Sequence, residues 1–144
     1  MSNLNAKPFD REAHLEYIVK WWEFYYEGEV FPEYCIPKHG VCVLHEGRPV
    51  GTIFLYVNDS KLAHLAFPVI DPEVQVREKR EILDELVQKG KEYAVELLGQ
   101  PAVIFGITHN KSVGNSMKKV GFVDNGPMKT FACSVGGGYV EFLQ

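Results

Sequence analysis

The stretch THNKSVGNSMKKVGF, residues 108–122, decides how this chain folds. It leaves the apolar run AVIFGI (residues 102–107), turns at Asn110, passes through a short helix-forming segment over Ser112 to Val120 and stops on Gly121-Phe122. A strand that ends on a polar amide and turns into a helix is one half of a crossover, and the residues before it supply the other half. Residues 77–98, REKREILDELVQKGKEYAVELL, place Ile82, Leu83, Leu86, Val87, Tyr93, Ala94, Leu97 and Leu98 on one stripe of a long helix, and Gly99 stands at its C-terminal stop. Gly90 weakens that helix by about 1 kcal/mol relative to alanine, which a helix of this length tolerates.

Working back toward the N-terminus, residues 40–59, GVCVLHEGRPVGTIFLYVND, hold two β-rich runs around Glu46-Gly47-Arg48-Pro49, the spacing of a hairpin. A third run, KLAHLAFPVI, follows the turn Asn58-Asp59-Ser60. Residues 29–39, with two prolines, read as a loop holding one short helical turn. Before it, Asp10 is a good N-cap, and Leu15, Ile18, Trp22 and Tyr25 or Tyr26 recur on one face of a helix that reaches about Glu27 and ends at Gly28. Past the opening stretch, PMKTFACSV (residues 127–135) reads as a last β-like run, and Gly136-Gly137-Gly138 as a flexible hinge before YVEFLQ.

The order is helix, loop, three strands, long helix, strand, short helix, strand. Strand–helix–strand in the second half implies a right-handed crossover and one parallel pair in a mostly antiparallel sheet. The fold class is therefore α+β, a mixed sheet flanked by helices, with a splayed parallel pair where a ligand crevice opens at the strand C-termini.

Composition narrows the function. A chain of 144 residues with 46% apolar and 24% charged residues suits one globular domain over residues 1–144. A net charge of -4 argues against a basic nucleic-acid surface. No apolar run approaches the ~20 residues of a membrane helix. The N-terminal MSNLNAKPFDRE lacks the apolar core of a signal peptide, so a cytoplasmic location is expected. Three cysteines (Cys35, Cys42, Cys133) and five scattered histidines form neither a disulfide framework nor a zinc motif.

The order of elements, the Asn110-to-Gly121-Phe122 spacing, the hairpin phrase Gly47 to Ile53 and the passage Val69 to Arg80 together resemble the GNAT superfamily of acyl-CoA-dependent N-acetyltransferases, over roughly residues 5–135. The resemblance implies acetyl-CoA as cofactor. It implies that the pantetheine arm lies between two splayed strands against Phe67, Val69, Ile70 and Asp71, and that Asn110 reaches toward it. Asn110 is also among the best helix caps, and both roles are open to it. The family's diphosphate loop falls on Gln75-Val76-Arg77-Glu78-Lys79-Arg80. Gln75 fits its first position, whereas Glu78 and Arg80 stand where glycine and glycine or alanine belong. Arg77, Lys79 and Arg80 are cations able to grip phosphates with side chains in place of backbone amides; a solvated helix start is the plainer reading.

The chemistry departs too. Many members carry a tyrosine seven residues after the Asn, as the acid for the leaving thiolate. This chain has Met117, which has no proton to give, and Ser116 beside it points elsewhere on the helix. His64 is the candidate general base, with a pKa range suited to an amine; the alternative is a half-buried histidine satisfied by a backbone carbonyl. Glu23, Glu27, Trp21, Tyr25 and Tyr26 fall where the family lines its acceptor pocket, and would suit a cationic amine or form an aromatic core. The expected activity is acetyl transfer to a small-molecule or peptide amine. The rival is a catalytically silent GNAT-like binding module, with the aromatics of Trp21 to Phe31 as an exposed partner surface and short last strands inviting a homodimer.

Overall fold

The computed structural model describes residues 3–27 and 31–136. Five strands lie in sequence order across one sheet: β1 (Leu4–Pro8), β2 (His39–His45), β3 (Arg48–Tyr56), β4 (Leu62–Ile70) and β5 (Val103–Phe105). The first three pairings are antiparallel and β4–β5 is parallel. Helix α1 (Arg11–Tyr25) follows β1, α2 (Val76–Leu98) crosses over from β4 to β5, and α3 (Lys111–Lys119) follows β5. A short 3-10 turn, Glu33–Cys35, sits in the proline-containing loop.

The expected hairpin, crossover and parallel pair are present. The β2–β3 turn is made by Glu46 and Gly47, both at positive φ (52° and 82°), a two-residue turn whose twist matches the strands it joins. The Asp10 side chain accepts from the Glu12 amide at 3.1 Å, as the capping reading requires. Helix α1 ends at Tyr25, two residues before the expected Glu27, and Gly28 lies outside the described residues.

Two expectations are corrected. Leu4–Pro8 is a strand, held on β2 by its backbone ladder although its side chains carry no β pattern. Residues 127–135 are not a strand: they lie outside the five-stranded sheet of the described residues and are almost wholly exposed. Of the glycine tract and YVEFLQ, all but Gly136 lies outside the described residues.

Strand alternation splits the core into two faces. Ile53, Leu55 and Leu65 pack with Ile82, Leu86 and Val87 of α2 on one side. Phe54 and Val69 pack with Phe9, Ile18, Trp22 and Phe31 on the other, under α1. Gly90 faces the first of these clusters. A β-carbon there would stand 2.7 Å from Leu65 Cδ1, so the residue that weakens α2 in isolation lets it lie close on the sheet. Trp21, Trp22 and Phe31 are buried, which removes them from any exposed partner surface; Phe24 and Tyr25 are the exposed aromatics of that stretch among the described residues.

Candidate active site at the parting of two strands

Strand β4 is the centre of the site. Its pairing with β5 covers Leu62↔Val103, Ala63↔Ile104 and His64↔Phe105 and then ends, while β4 runs on to Ile70 along β3 alone. The two parallel strands thus part beyond His64. At the parting β4 carries a bulge, because Thr52 and Phe54 on β3 face Val69 and Ala66, so a step of two residues on β3 is matched by a step of three on β4. Phe67 sits in this bulge at φ 57°, a left-handed conformation that costs a non-glycine residue of order 1 kcal/mol or more. Pro68 follows it. A proline inside a strand is tolerated at an edge or a bulge, so Phe67-Pro68 was the sequence signal for this feature.

The end of β4 is bound into the fold. Asp71 is buried, pairs with the guanidinium of Arg48 and accepts from the Glu73 amide at 3.0 Å. Its own amide donates to Val50 and its carbonyl accepts from Val74. Asp71 therefore holds the turn that delivers the chain to α2. The Ile70 carbonyl accepts the hydroxyl of Tyr25 at 2.9 Å, which brings the end of α1 to the mouth of the parting. Burial, and then the charge of Asp71, push the Tyr25 pKa above its usual value, so it stays a donor.

The start of α2 differs from the other two helices. Asp10 caps α1 and Asn110 caps α3 through their side chains, whereas Gln75 makes no such bond at the head of α2. Gln75, Val76 and Arg77 are exposed there, Val76 at 84%. The three cations of this segment have different surroundings. Lys79 lies over the Tyr25 ring, 6.0 Å from its centre. Arg80 contributes charge to Asp84 further down the helix. Burial alone would raise the Asp84 pKa, but bonds from Ser116 (2.6 Å) and Lys119 (2.9 Å), with the charges of Lys119 and Arg80, hold it below the ordinary carboxylate value.

His64 is half-buried on the α1 face. Its ring stacks on Phe105 at 4.6 Å and 6°, across the last paired rung of β4 and β5, and also meets Tyr56 and Phe67. Burial lowers its pKa, and its Nε2 is buried without a hydrogen-bond partner within the protein. The expected backbone carbonyl partner is not found at that nitrogen. Phe105 was not singled out by sequence; a three-residue strand offers no pattern that says which side chain will face β4.

Asn110 lies beyond the end of β5, and its side-chain oxygen accepts from the Val113 amide at 3.1 Å, so the cap reading holds. Met117, at the position of the missing tyrosine, is buried against Gly106 and joins the α2-side core. Ser116 is turned to Asp84, away from the parting. Among the described residues no group of three His, Cys, Asp or Glu side chains could hold a metal ion, and no helix is long and apolar enough to cross a membrane.

No protein-family profile and no curated protein matches the chain. Solved structures do. An aminoglycoside acetyltransferase from an uncultured soil metagenomic sample, in complex with sisomicin, superposes with a TM-score of 0.67 at 14% identity, covering 92% of this chain and 97% of that one. An acetyltransferase of the GNAT family from Streptococcus pneumoniae gives 0.60 at 14% identity, over 85% and 86% of the two chains. At such identity the likeness is one of architecture, and it agrees with the parting strands, the bulge and the crossover helix: this chain has the fold of the GNAT acetyltransferases.

Proposed function

We propose that the chain is an N-acetyltransferase that takes an acetyl group from acetyl-CoA and passes it to a primary amine by direct attack. The observation that carries this reading is the parting of β4 from β5 beyond His64, at a bulge and beside an uncapped helix start. It leaves a row of β4 backbone groups without a β5 neighbour, next to amides at the positive end of a helix dipole. When bound, acetyl-CoA supplies the acetyl group as a thioester, which an amine displaces with loss of the thiolate.

The chain's own residues divide the work. Phe67, Val69 and Ile70, on β4 beyond its last rung with β5, would hold the pantetheine arm. Asp71 enters through the turn it fixes. Gln75, Val76, Arg77, Lys79 and Arg80 would hold the diphosphate, with side-chain charge standing in for the close backbone approach that Glu78 and Arg80 obstruct. Asn110 would border the cofactor from the end of β5. His64, its pKa lowered by burial, would take the amine's proton on its imidazole. Met117 gives the leaving thiolate no proton, so that proton comes from solvent. The acceptor is an amine, of a small molecule or a peptide, approaching from the side of α1.

A second reading has one observation in its favour. The Ile70 carbonyl, part of the edge on which the cofactor would depend, is already taken by Tyr25. A GNAT-like module without activity would have that feature, as it would the missing glycines.

Titration calorimetry with acetyl-CoA separates the two. Micromolar binding, weakened roughly tenfold or more by Arg77→Ala/Arg80→Ala, supports the enzyme. Acetyl-CoA that fails to bind at millimolar concentration removes it and leaves the binding module.

A further inference from the structure

The peptide that joins Ile70 to Asp71 is trans and planar, so its N–H and its carbonyl point to opposite sides of β4. The N–H, on Asp71, donates to the Val50 carbonyl of β3 at 2.9 Å. The Ile70 carbonyl therefore points away from β3, toward the side on which β5 has already left β4. A carbonyl on that side of a strand ordinarily accepts from the next strand. Here it accepts from a side chain, the hydroxyl of Tyr25 at 2.9 Å. Tyr25 is the last residue of α1 and 42% exposed. Its ring meets solvent, the exposed Phe24 and, at 6.0 Å, the ammonium of Lys79 near the start of α2. A rotation about its own side-chain bonds takes the hydroxyl off the carbonyl without disturbing the core. Tyr56 makes a bond of the same kind, to the Cys35 carbonyl at 2.9 Å, but its ring is packed among Phe54, His64 and Phe67 and has no such freedom.

We infer that the Tyr25 hydroxyl is an exchangeable latch: an N–H of the pantetheine arm takes over the Ile70 carbonyl, and Tyr25 swings off it into solvent. The inference rests on the acetyl-CoA reading and gives the one observation that counts against that reading a part in binding. A module without activity keeps the bond, whereas an enzyme exchanges it. One donor replaces another at the same oxygen, so the ligand gives up what the hydroxyl bond was worth, and wild-type affinity is held down about three- to tenfold. A carbonyl oxygen has two lone pairs, and a ligand that used the second would leave the hydroxyl in place. The two cases differ in what loss of the hydroxyl does to binding.

Tyr25→Phe keeps the ring, and with it the contact to Lys79, and removes only the hydroxyl. In calorimetry with acetyl-CoA the variant should bind about three- to tenfold more tightly than wild type; binding seen in the variant alone is the same result at its limit. Thermal melts give a second readout. Without acetyl-CoA the variant should melt below wild type, and at saturating acetyl-CoA the difference should close, because the bond is then absent from both proteins. A tightening of less than about threefold, weaker binding, or a melting difference that persists at saturation would each overturn the latch and leave the Tyr25–Ile70 bond purely structural. Those results leave the acetyltransferase reading standing. Failure of both proteins to bind acetyl-CoA removes that reading, and the latch with it.

Discussion

Met117 of α3 lies so near Gly106 that a β-carbon built on the glycine would come within 2.5 Å of the methionine methyl and 3.0 Å of its sulfur. The same β-carbon would stand 3.3 Å from the Leu65 carbonyl, which is backbone of β4. The contact joins α3 to both parallel strands immediately past their last pairing. Gly106→Ala should cost about 1–3 kcal/mol as overpacking, and Met117→Ala about 2–4 kcal/mol as a cavity. The double variant should cost less than the two added together, because the smaller side chain at 117 makes room for the new methyl. Urea denaturation of the four proteins checks this, and strict additivity would refute the contact. Met117→Tyr, which restores the tyrosine of the family pattern, meets the same wall and should destabilise rather than confer a working acid.

His14 predicts a loss of stability in mild acid. It is a buried residue of α1, and its Nδ1 accepts from the Asp10 amide at 3.0 Å, a bond only the neutral ring can make. Burial, and then the charge of Lys7, lower its pKa below the usual value, with Asp10 opposing. The folded pKa is thus below the unfolded one near 6.5, so the unfolded chain binds the proton first as pH falls. The stability is fully present above about pH 6.5 and is lost as pH drops through the folded value, at up to about 1.4 kcal/mol per unit for each coupled proton. His64, lowered by burial, adds a change of the same sign. His14→Phe should be weaker than wild type at pH 8 by about 1 kcal/mol, for the lost bond, yet decline less steeply toward pH 5. An equally steep decline in that variant would acquit His14.

The contrast between what could and could not be read from the sequence follows the range of the interactions involved. Periodicity located α2 to within a residue because its stripe is set by local spacing, and the Glu46-Gly47 hairpin was legible because two residues determine the turn. Strand β1 was not, since Leu4–Pro8 is a strand only by virtue of its ladder with β2. The converse error at 127–135 has the same origin: β composition is local, and among the described residues the run enters no strand ladder. Around the candidate site, the cap at Asn110 was legible from residue type alone. The hydroxyl of Tyr25 on Ile70 and the stacking of Phe105 on His64 were not, as each joins residues brought together only by the crossover or by α1 lying across the sheet.

The Arg48–Asp71 pair should divide unequally when its members are changed. The guanidinium is 57% exposed and the carboxylate 8%. Arg48→Ala loses a charge largely in water and should cost less than about 1 kcal/mol. Asp71→Asn keeps the oxygen that accepts from Glu73 and should cost a similar amount, whereas Asp71→Ala also strands that amide and should cost about 2 kcal/mol. If acetyl-CoA binds, Asp71→Ala should weaken it more than Arg48→Ala does, because the turn that sets the start of α2 is lost. Chemical denaturation gives the ranking, and equal costs for all three would show that the turn does not depend on Asp71.

Asn110 has an assigned structural task and a proposed ligand task, and substitution can pull them apart. Its side-chain oxygen caps α3, and aspartate or serine supplies an equivalent oxygen while alanine supplies none. Asn110→Ala should therefore lose about 1 kcal/mol of stability, and Asn110→Asp and Asn110→Ser little. Cofactor affinity should follow another order. If the side-chain amide meets acetyl-CoA, Asn110→Asp removes a donor and sets a carboxylate in its place beside an anionic ligand, so binding should fall by roughly tenfold or more. Serine should fall between the two. Should binding instead track stability, lost in alanine and retained in aspartate, Asn110 acts only through the cap. Calorimetry and thermal melts on the same three variants decide between a residue that holds the helix and one that also holds the ligand.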